Sequence, residues 1–423
     1  MISSARKRAS QLIERLESIL KTDVRYILKG GFWLTFGRIA SMLASFLLSL
    51  AYANLLSKET YGSYKFVLSI ASMLSLFTLP GINTALSQTV ARGYEGTLVP
   101  STLERIRWSI LGTCVGIGVA GYYFFIGHNQ TLALAALIIA AFLPVMDTLM
   151  TYSAFLQGQK KFKLDALLSS ATQISGTLAL IVTFFLTKNL LYILLTYFFV
   201  YTFLRAIFFF YTQKTQQTTN LTDARALTYG KHLSAMNILG TIAGNVDDII
   251  LFHVMGPVGV ARYNIAVAPA DQAKGLLSFS DPLLFPQFSK HSEEDIRRHI
   301  GKKFFWYGVF GAVIVGAYWL VTPWFFRIFL PKYTEIIFLS LLYSLSMLNA
   351  VVAPAATYLV AKRKVKEQYY LNLITYIFQI GSMAFLTVTH GLLGLIIARI
   401  ATRFFGGALS VFFFVRPFKQ AET

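Results

Sequence analysis

The stretch Leu132-Ala133-Leu134-Ala135-Ala136-Leu137-Ile138-Ile139-Ala140-Ala141-Phe142-Leu143 decides the fold class. It is apolar on every face. A half-buried strand would alternate polar and apolar positions, and a surface helix would keep a polar stripe. This run does neither, and with its flanks it reaches the roughly 20 residues that a helix needs to cross hydrocarbon. Val411–Val415 has the same character. A transmembrane β-barrel is built from segments of about ten residues with alternating polarity, so these runs exclude it.

The composition agrees. Of 423 residues, 55% are hydrophobic and only 13% charged, with a mean hydropathy of +0.58. Soluble domains carry about 25% charged residues, so a cytoplasmic enzyme is argued against, as is a disordered chain. The single Cys, Cys114, falls inside an apolar span and rules out an intramolecular disulfide. Twelve such spans follow one another: 30–55, 66–90, 108–126, 130–156, 166–186, 190–211, 232–255, 263–288, 304–325, 336–361, 368–388 and 391–415. The expected fold is therefore an all-α polytopic membrane protein with about 12 transmembrane helices. Connections as short as 127–129 and 187–189 make neighbouring helices antiparallel. Pro80 and Pro282 predict kinks in the second and eighth spans, because proline removes a helix hydrogen bond.

The net charge of +19, from 38 Lys+Arg against 19 Asp+Glu, would point to nucleic acid in a soluble protein. Here it follows the topology. Both termini and the gaps on their side hold 27 basic residues, the opposite side holds six, and five lie within spans. The positive-inside rule then places both termini in the cytoplasm of a multi-pass cell (inner) membrane protein, with the lipid bilayer as partner and no nucleic acid. Residues 9–29 carry Leu12, Leu16, Ile19, Leu20 and Ile27 at helical spacing between charges, which predicts an amphipathic helix on the cytoplasmic leaflet.

The longest interior hydrophilic gap, 212–231, is rich in Gln, Thr and Asn and divides six spans from six. The expected organisation is a cytoplasmic basic segment at 1–29, a six-helix lobe at 30–211, a linker at 212–231, a second six-helix lobe at 232–416 and a tail at 417–423. Tyr64 through Pro80 to Gln88 and Arg92 parallels Tyr263 through Pro282 to Gln287 and Lys290, after a slip of three residues. Halves in one orientation are related by an axis along the membrane normal.

Several stretches carry a family resemblance. They are Leu55-Leu56-Ser57-Lys58-Glu59-Thr60-Tyr61-Gly62-Ser63-Tyr64 with Leu79-Pro80-Gly81-Ile82-Asn83-Thr84-Ala85, then Phe155-Leu156-Gln157-Gly158-Gln159-Lys160-Lys161-Phe162. Asp247–Gly256 with Val258-Gly259-Val260-Ala261-Arg262-Tyr263 follows, and then Pro282-Leu283-Leu284-Phe285-Pro286-Gln287-Phe288-Ser289-Lys290. In order and spacing these resemble polysaccharide (O-antigen-type) flippases of the multidrug/oligosaccharidyl-lipid/polysaccharide exporter superfamily, from about Gly30 to Pro417. The resemblance implies two six-helix lobes around a central cavity, alternating access, and movement of a polyprenyl-diphosphate-linked glycan from the inner to the outer leaflet. One departure stands out. Asp247 is followed by Asp248, where family members often carry a basic or polar residue.

An ionisable residue at bilayer depth costs roughly 2.5–3.5 kcal/mol on insertion scales, so each is a candidate site. Arg399 and Arg403 are four apart and share one face of the last span. They read as a docking site for a diphosphate, or as partners of acids such as Asp271 or Asp281. Lys274 reads as the intrahelical partner of Asp271 or as a cavity cation, and Arg38 as a cavity residue or a snorkelling one. These four, Arg38, Lys274, Arg399 and Arg403, form the expected substrate-binding set. Arg205 and Lys65 sit near span ends and are expected to snorkel. Asp147 follows Pro144 and Asp281 precedes Pro282; with Asp271 and Asp247 they are candidates for coupling to a sodium ion or proton. Asp247 and Asp248 lie toward the outer end of span 7 and read as an outer gate or as solvated acids.

No Gly-rich phosphate loop precedes a Lys-Ser/Thr pair, and the six His are scattered, so neither an ATP motor nor a cofactor or metal site is expected. The outer gaps are at most ten residues, too small for a glycan-handling surface. These absences point to a transporter, and with the resemblance the expected function is a non-enzymatic flippase for lipid-linked oligosaccharide, acting beside other polysaccharide-assembly proteins. A multidrug-type cation antiporter of the same superfamily and an integral-membrane glycan polymerase or ligase are the alternatives. Inside the spans, five basic residues face five acids, so total charge does not separate them.

Overall fold

The computed structural model describes residues 24–216, 218–277, 293–362 and 364–416, with side chains throughout these except at 24–36, 38, 275–277, 293–300 and 303. Residues 9–23 of the expected amphipathic segment, the tail 417–423, and Asp281 and Pro282 lie outside them. Among the described residues every regular element is helical.

Eight helical runs are long and apolar enough to cross a membrane. Two of them are pairs of spans joined end to end. Ile238–Leu277 reverses at Gly256 (φ 72°, ψ −174°) and Val365–Val415 at Gly391 (φ 59°, ψ −137°), both conformations that side chains with a Cβ avoid. The broken pair Lys58–Thr78 and Gly81–Val90 and the shorter apolar helix Ile39–Leu55 bring the count to twelve. The fold is thus an all-α polytopic membrane protein with the span count that hydropathy predicts.

The second span breaks where Pro80 predicts, with a bend of 50°. Ser75–Thr78 tightens into a 3₁₀ turn, Leu79 takes a left-handed conformation (φ 52°), and Pro80 starts the next helix. Arg105 supports the break: its Nε donates to the Thr78 carbonyl at 2.7 Å and its Nη1 to Asn83 Oδ1 at 2.7 Å. Counted from sequence as a loop cation, Arg105 is 2% exposed, because its helix Leu98–Gly121 starts ten residues before the expected span. Its work is to satisfy carbonyls that a proline-broken helix frees.

The chain forms two compact units: Met1–Leu48 with Leu74–Met236, and Ser49–Met73 with Asn237–Thr423. The first unit packs Leu86, Leu98, Tyr152, Phe155, Leu156 and Phe209 into one cluster. In it Arg205, expected to snorkel, is instead paired with Asp147 at 3.3 Å and donates to the Met146 carbonyl at 3.0 Å. The hydrophilic stretch 212–231 is largely ordered against this unit. The helix Leu190–Gln216 runs into it, Ala224–Met236 is a further helix, and Ser234 Oγ accepts from the Gly81 amide at 2.9 Å. Glu95 accepts from both the amide and the hydroxyl of Thr218, and from Gln159.

The second unit contains the first part of the second span. Phe66 stacks on Phe252 with ring centroids 3.8 Å apart. Its main apolar cluster includes Leu251, Val260, Tyr343, Met347, Met383 and Leu395. A residue forced into a backbone conformation that only glycine favours costs about 1–3 kcal/mol. Gly391→Ala and Gly256→Ala are each expected to lower the thermal unfolding midpoint of the detergent-solubilised protein by that equivalent. A midpoint unchanged in both variants would contradict the hairpin reversals.

Candidate functional site

Span 7 carries two adjacent acids, and consecutive positions on a helix point about 100° apart. They therefore meet different neighbours. The hairpin that reverses at Gly256 sets the register so that Tyr263 faces Asp247 and Asn264 faces Asp248, each sixteen residues on. Tyr263 Oη donates to Asp247 at 2.7 Å, Arg399 Nη2 donates to the same carboxylate oxygen at 2.5 Å, and Arg399 Nε donates to Tyr263 Oη at 2.9 Å. Asp248 accepts from Ser69 Oγ and Asn264 Nδ2, both at 2.7 Å. Lys65 interacts electrostatically with both acids. Asp247 and Asp248 are 4% and 8% exposed. This is a buried, nearly neutral cluster drawn from spans 2, 7, 8 and 12.

One turn beyond Arg399, Arg403 meets a second acid. Its Nη2 donates to Asp271 Oδ1 at 2.9 Å and to Tyr343 Oη at 2.6 Å, and its Nη1 donates to Ser346 Oγ at 2.8 Å. The guanidinium also lies over the Tyr343 ring, 5.0 Å from its centroid. Asp271 thus pairs across helices rather than with Lys274, its neighbour one turn on. Lys274, Asp271 and Arg403 line a cavity of about 580 Å³ inside the second unit. Among the described residues Lys274 has no carboxylate within 4.0 Å.

The cavity owes its polar wall to helix periodicity. Residues 345–352 of span 10 form a 3₁₀ helix, in which every third side chain stacks in one row. Ser346, Asn349 and Val352 make such a row and all line the cavity. Span 11 adds Asn372, Thr375 and Gln379 at α-helical spacing, and span 12 adds Gly407 beside Arg403. A Cβ on Gly407 would lie 2.1 Å from Asn349 Oδ1, so glycine leaves room for that amide.

The structure separates the expected site residues. Lys274 and Arg403 meet at the cavity with Asp271, while Arg399 turns to Asp247. Asp147 lies in the first unit with Arg205. The Arg38 side chain and Asp281 fall outside the described residues. Asp247 and Asp248, read as an outer gate or as solvated acids, are both buried. Lys65, Asn349, Asn372 and Thr375 were not singled out for a site.

Removing one partner of a buried ion pair leaves an uncompensated charge, a loss of about 3–5 kcal/mol. Arg399→Ala is expected to destabilise the protein by that order, and Asp247→Asn in the same chain to recover a large part of it. Additive losses in thermal unfolding would contradict the pairing.

No curated protein matches the chain. Among solved structures, an inward-facing multidrug resistance MATE family transporter of the MOP superfamily matches with a TM-score of 0.63 and 11% identity, covering 89% of this chain and 94% of that one. The lipid II flippase MurJ in an inward closed conformation matches with a TM-score of 0.60 and 13% identity, over 91% and 87% of the two chains. A MOP superfamily transporter from Pyrococcus furiosus, described as having a binding pocket of reversed polarity, matches at 0.57 and 11%, over 92% and 95%. At these identities the likeness shows the fold alone. The family model described as polysaccharide biosynthesis protein matches residues 27–292, more than half of the sequence, and the chain belongs to that family.

Proposed function

We propose that the chain is a flippase that carries a lipid-diphosphate-linked oligosaccharide from the inner to the outer leaflet of the cell membrane by alternating access. The observation that carries this reading is Lys274. It lines a polar cavity in a membrane-embedded unit and, among the described residues, has no carboxylate within 4.0 Å, while Arg403 and Asp271 beside it pair with one another. Among its described lining residues the cavity carries one surplus positive charge, which attracts an anionic group of the substrate and disfavours a cationic drug. The family and the flippase among the structural neighbours support the same substrate class. The excess of basic residues in alternate gaps supports cytoplasmic termini.

Coupling to a sodium ion or proton belongs to this proposal. Asp147, Asp247 and Asp271 each hold an arginine, so an ion must compete with a guanidinium for them. Asp248 instead accepts from a hydroxyl and an amide and meets Lys65 only through its field, so among the described residues no guanidinium has to be displaced from it and the Ser69 hydroxyl oxygen stands beside it. We propose Asp248 beside the expected acids for that role.

Lys274→Ala is expected to cut glycan export at least about tenfold, or about 1.4 kcal/mol, in a strain lacking its own flippase, with lipid-linked glycan accumulating on the inner leaflet. Unchanged export at normal protein level would overturn the reading.

A further inference from the structure

The cavity of the second unit holds more unclaimed hydrogen-bonding groups than an anion site needs. Among the described residues, the side-chain amides of Asn349 and Asn372 make no hydrogen bond within the protein, and Thr375 Oγ1 is buried without a partner. They come from two different spans and line one wall system together with Lys274. Thr375 Oγ1 is the buried one of the three, and buried polar groups are satisfied in native proteins, so it and the two open amides beside it point to a ligand or water in this space. The volume of about 580 Å³ lies within the roughly 300–1,000 Å³ of small-molecule sites. Tyr307 adds an aromatic ring to the lining.

The charge narrows the ligand. The Arg403 fork is spent on Asp271, Tyr343 and Ser346, which among the described residues leaves one ammonium of the lining, Lys274, for an incoming group. A diphosphate carries several negative charges and would leave most of them unmatched at such a site, while the neutral amides would have no use. A sugar ring with one carboxylate fits both features. Hydroxyls that both donate and accept suit amides and a threonine hydroxyl, and the carboxylate suits one lysine. Resting on the flippase reading for the source of the ligand, we infer that this cavity binds a carboxylated pyranose unit of the transported glycan. The diphosphate would be held elsewhere. Asn349, Asn372 and Thr375 are then specificity-determining residues.

The test uses the full chain in lipid nanodiscs, with glucuronate, glucose and inorganic diphosphate as probes and ligand-observed NMR as readout. Glucuronate is expected to bind and to be displaced by neither of the others at equal concentration. Lys274→Gln should weaken glucuronate about tenfold and bring it level with glucose, while Asn372→Ala and Thr375→Val should each weaken both sugars about three- to tenfold. Asn372 is exposed in the cavity wall, so its variant keeps the test open if Lys274→Gln fails to fold. Equal binding of glucose and glucuronate, displacement by diphosphate at lower concentration, or unchanged affinity in Asn372→Ala and Thr375→Val would overturn the inference. The export assay separates the two proposals. Export lost in Lys274→Ala with diphosphate as the preferred probe keeps the flippase and overturns the sugar assignment. Glucuronate bound by the wall residues, with export intact in their absence, keeps the sugar assignment and overturns the flippase reading at this cavity.

Discussion

A charge buried at bilayer depth must be met by an opposite charge or by a full set of hydrogen bonds, and the second unit is organised around that requirement. Asp247 meets Arg399 and Tyr263 among apolar spans, and each charge of the pair offsets the cost of burying the other. That pair ties three spans together. Asp248 draws in a fourth through Ser69. Helix packing in membranes lacks the hydrophobic drive available in water, so such polar ties weigh more in choosing which helices meet. The packing of Phe66 on Phe252 follows the same alignment.

The cavity obeys the requirement differently. Its lining pairs Arg403 with Asp271 and, among the described residues, leaves Lys274 without a carboxylate and the amides of Asn349 and Asn372 without a partner. A stable core would not leave them so. The difference between a satisfied cluster and an unsatisfied one, about a turn apart on the same helix, separates the part of the unit that holds it together from the part open to a ligand. The 3₁₀ stretch at Leu345–Val352 is what aligns Ser346 and Asn349 toward that space.

The span count was legible because hydropathy and length act locally, and each apolar run announces itself. The intramembrane charges were legible for the same reason: Asp147, Asp271, Arg399 and Arg403 interrupt apolar stretches. Their partners were less so. Asp271 was anticipated as a partner for the arginines, but Asp247 and Arg399 are 152 residues apart and meet only through the packing of span 12 on span 7. Arg105 was misread because its helix extends beyond the apolar run, so hydropathy placed it in a loop. Asn349 and Asn372 escaped notice because an uncharged amide barely disturbs hydropathy, and a 3₁₀ row breaks the period by which a face is recognised. The grouping of 49–73 with the C-terminal half has no local signature at all.

That grouping has a consequence for synthesis. Ser69 and its acceptor Asp248 are separated by 179 residues. At a translation rate of roughly 5–20 residues per second, the second span leaves the ribosome about 9–36 s before its partner exists. During that interval Lys65 and Ser69 reach the bilayer with no acid to meet them. The first unit, by contrast, has all its residues once Met236 has emerged. The order of assembly is thereby built into the chain: a helical hairpin inserted early stays half-docked until the seventh and eighth spans arrive. The nascent protein depends for that time on whatever in the membrane shelters an unpaired lysine.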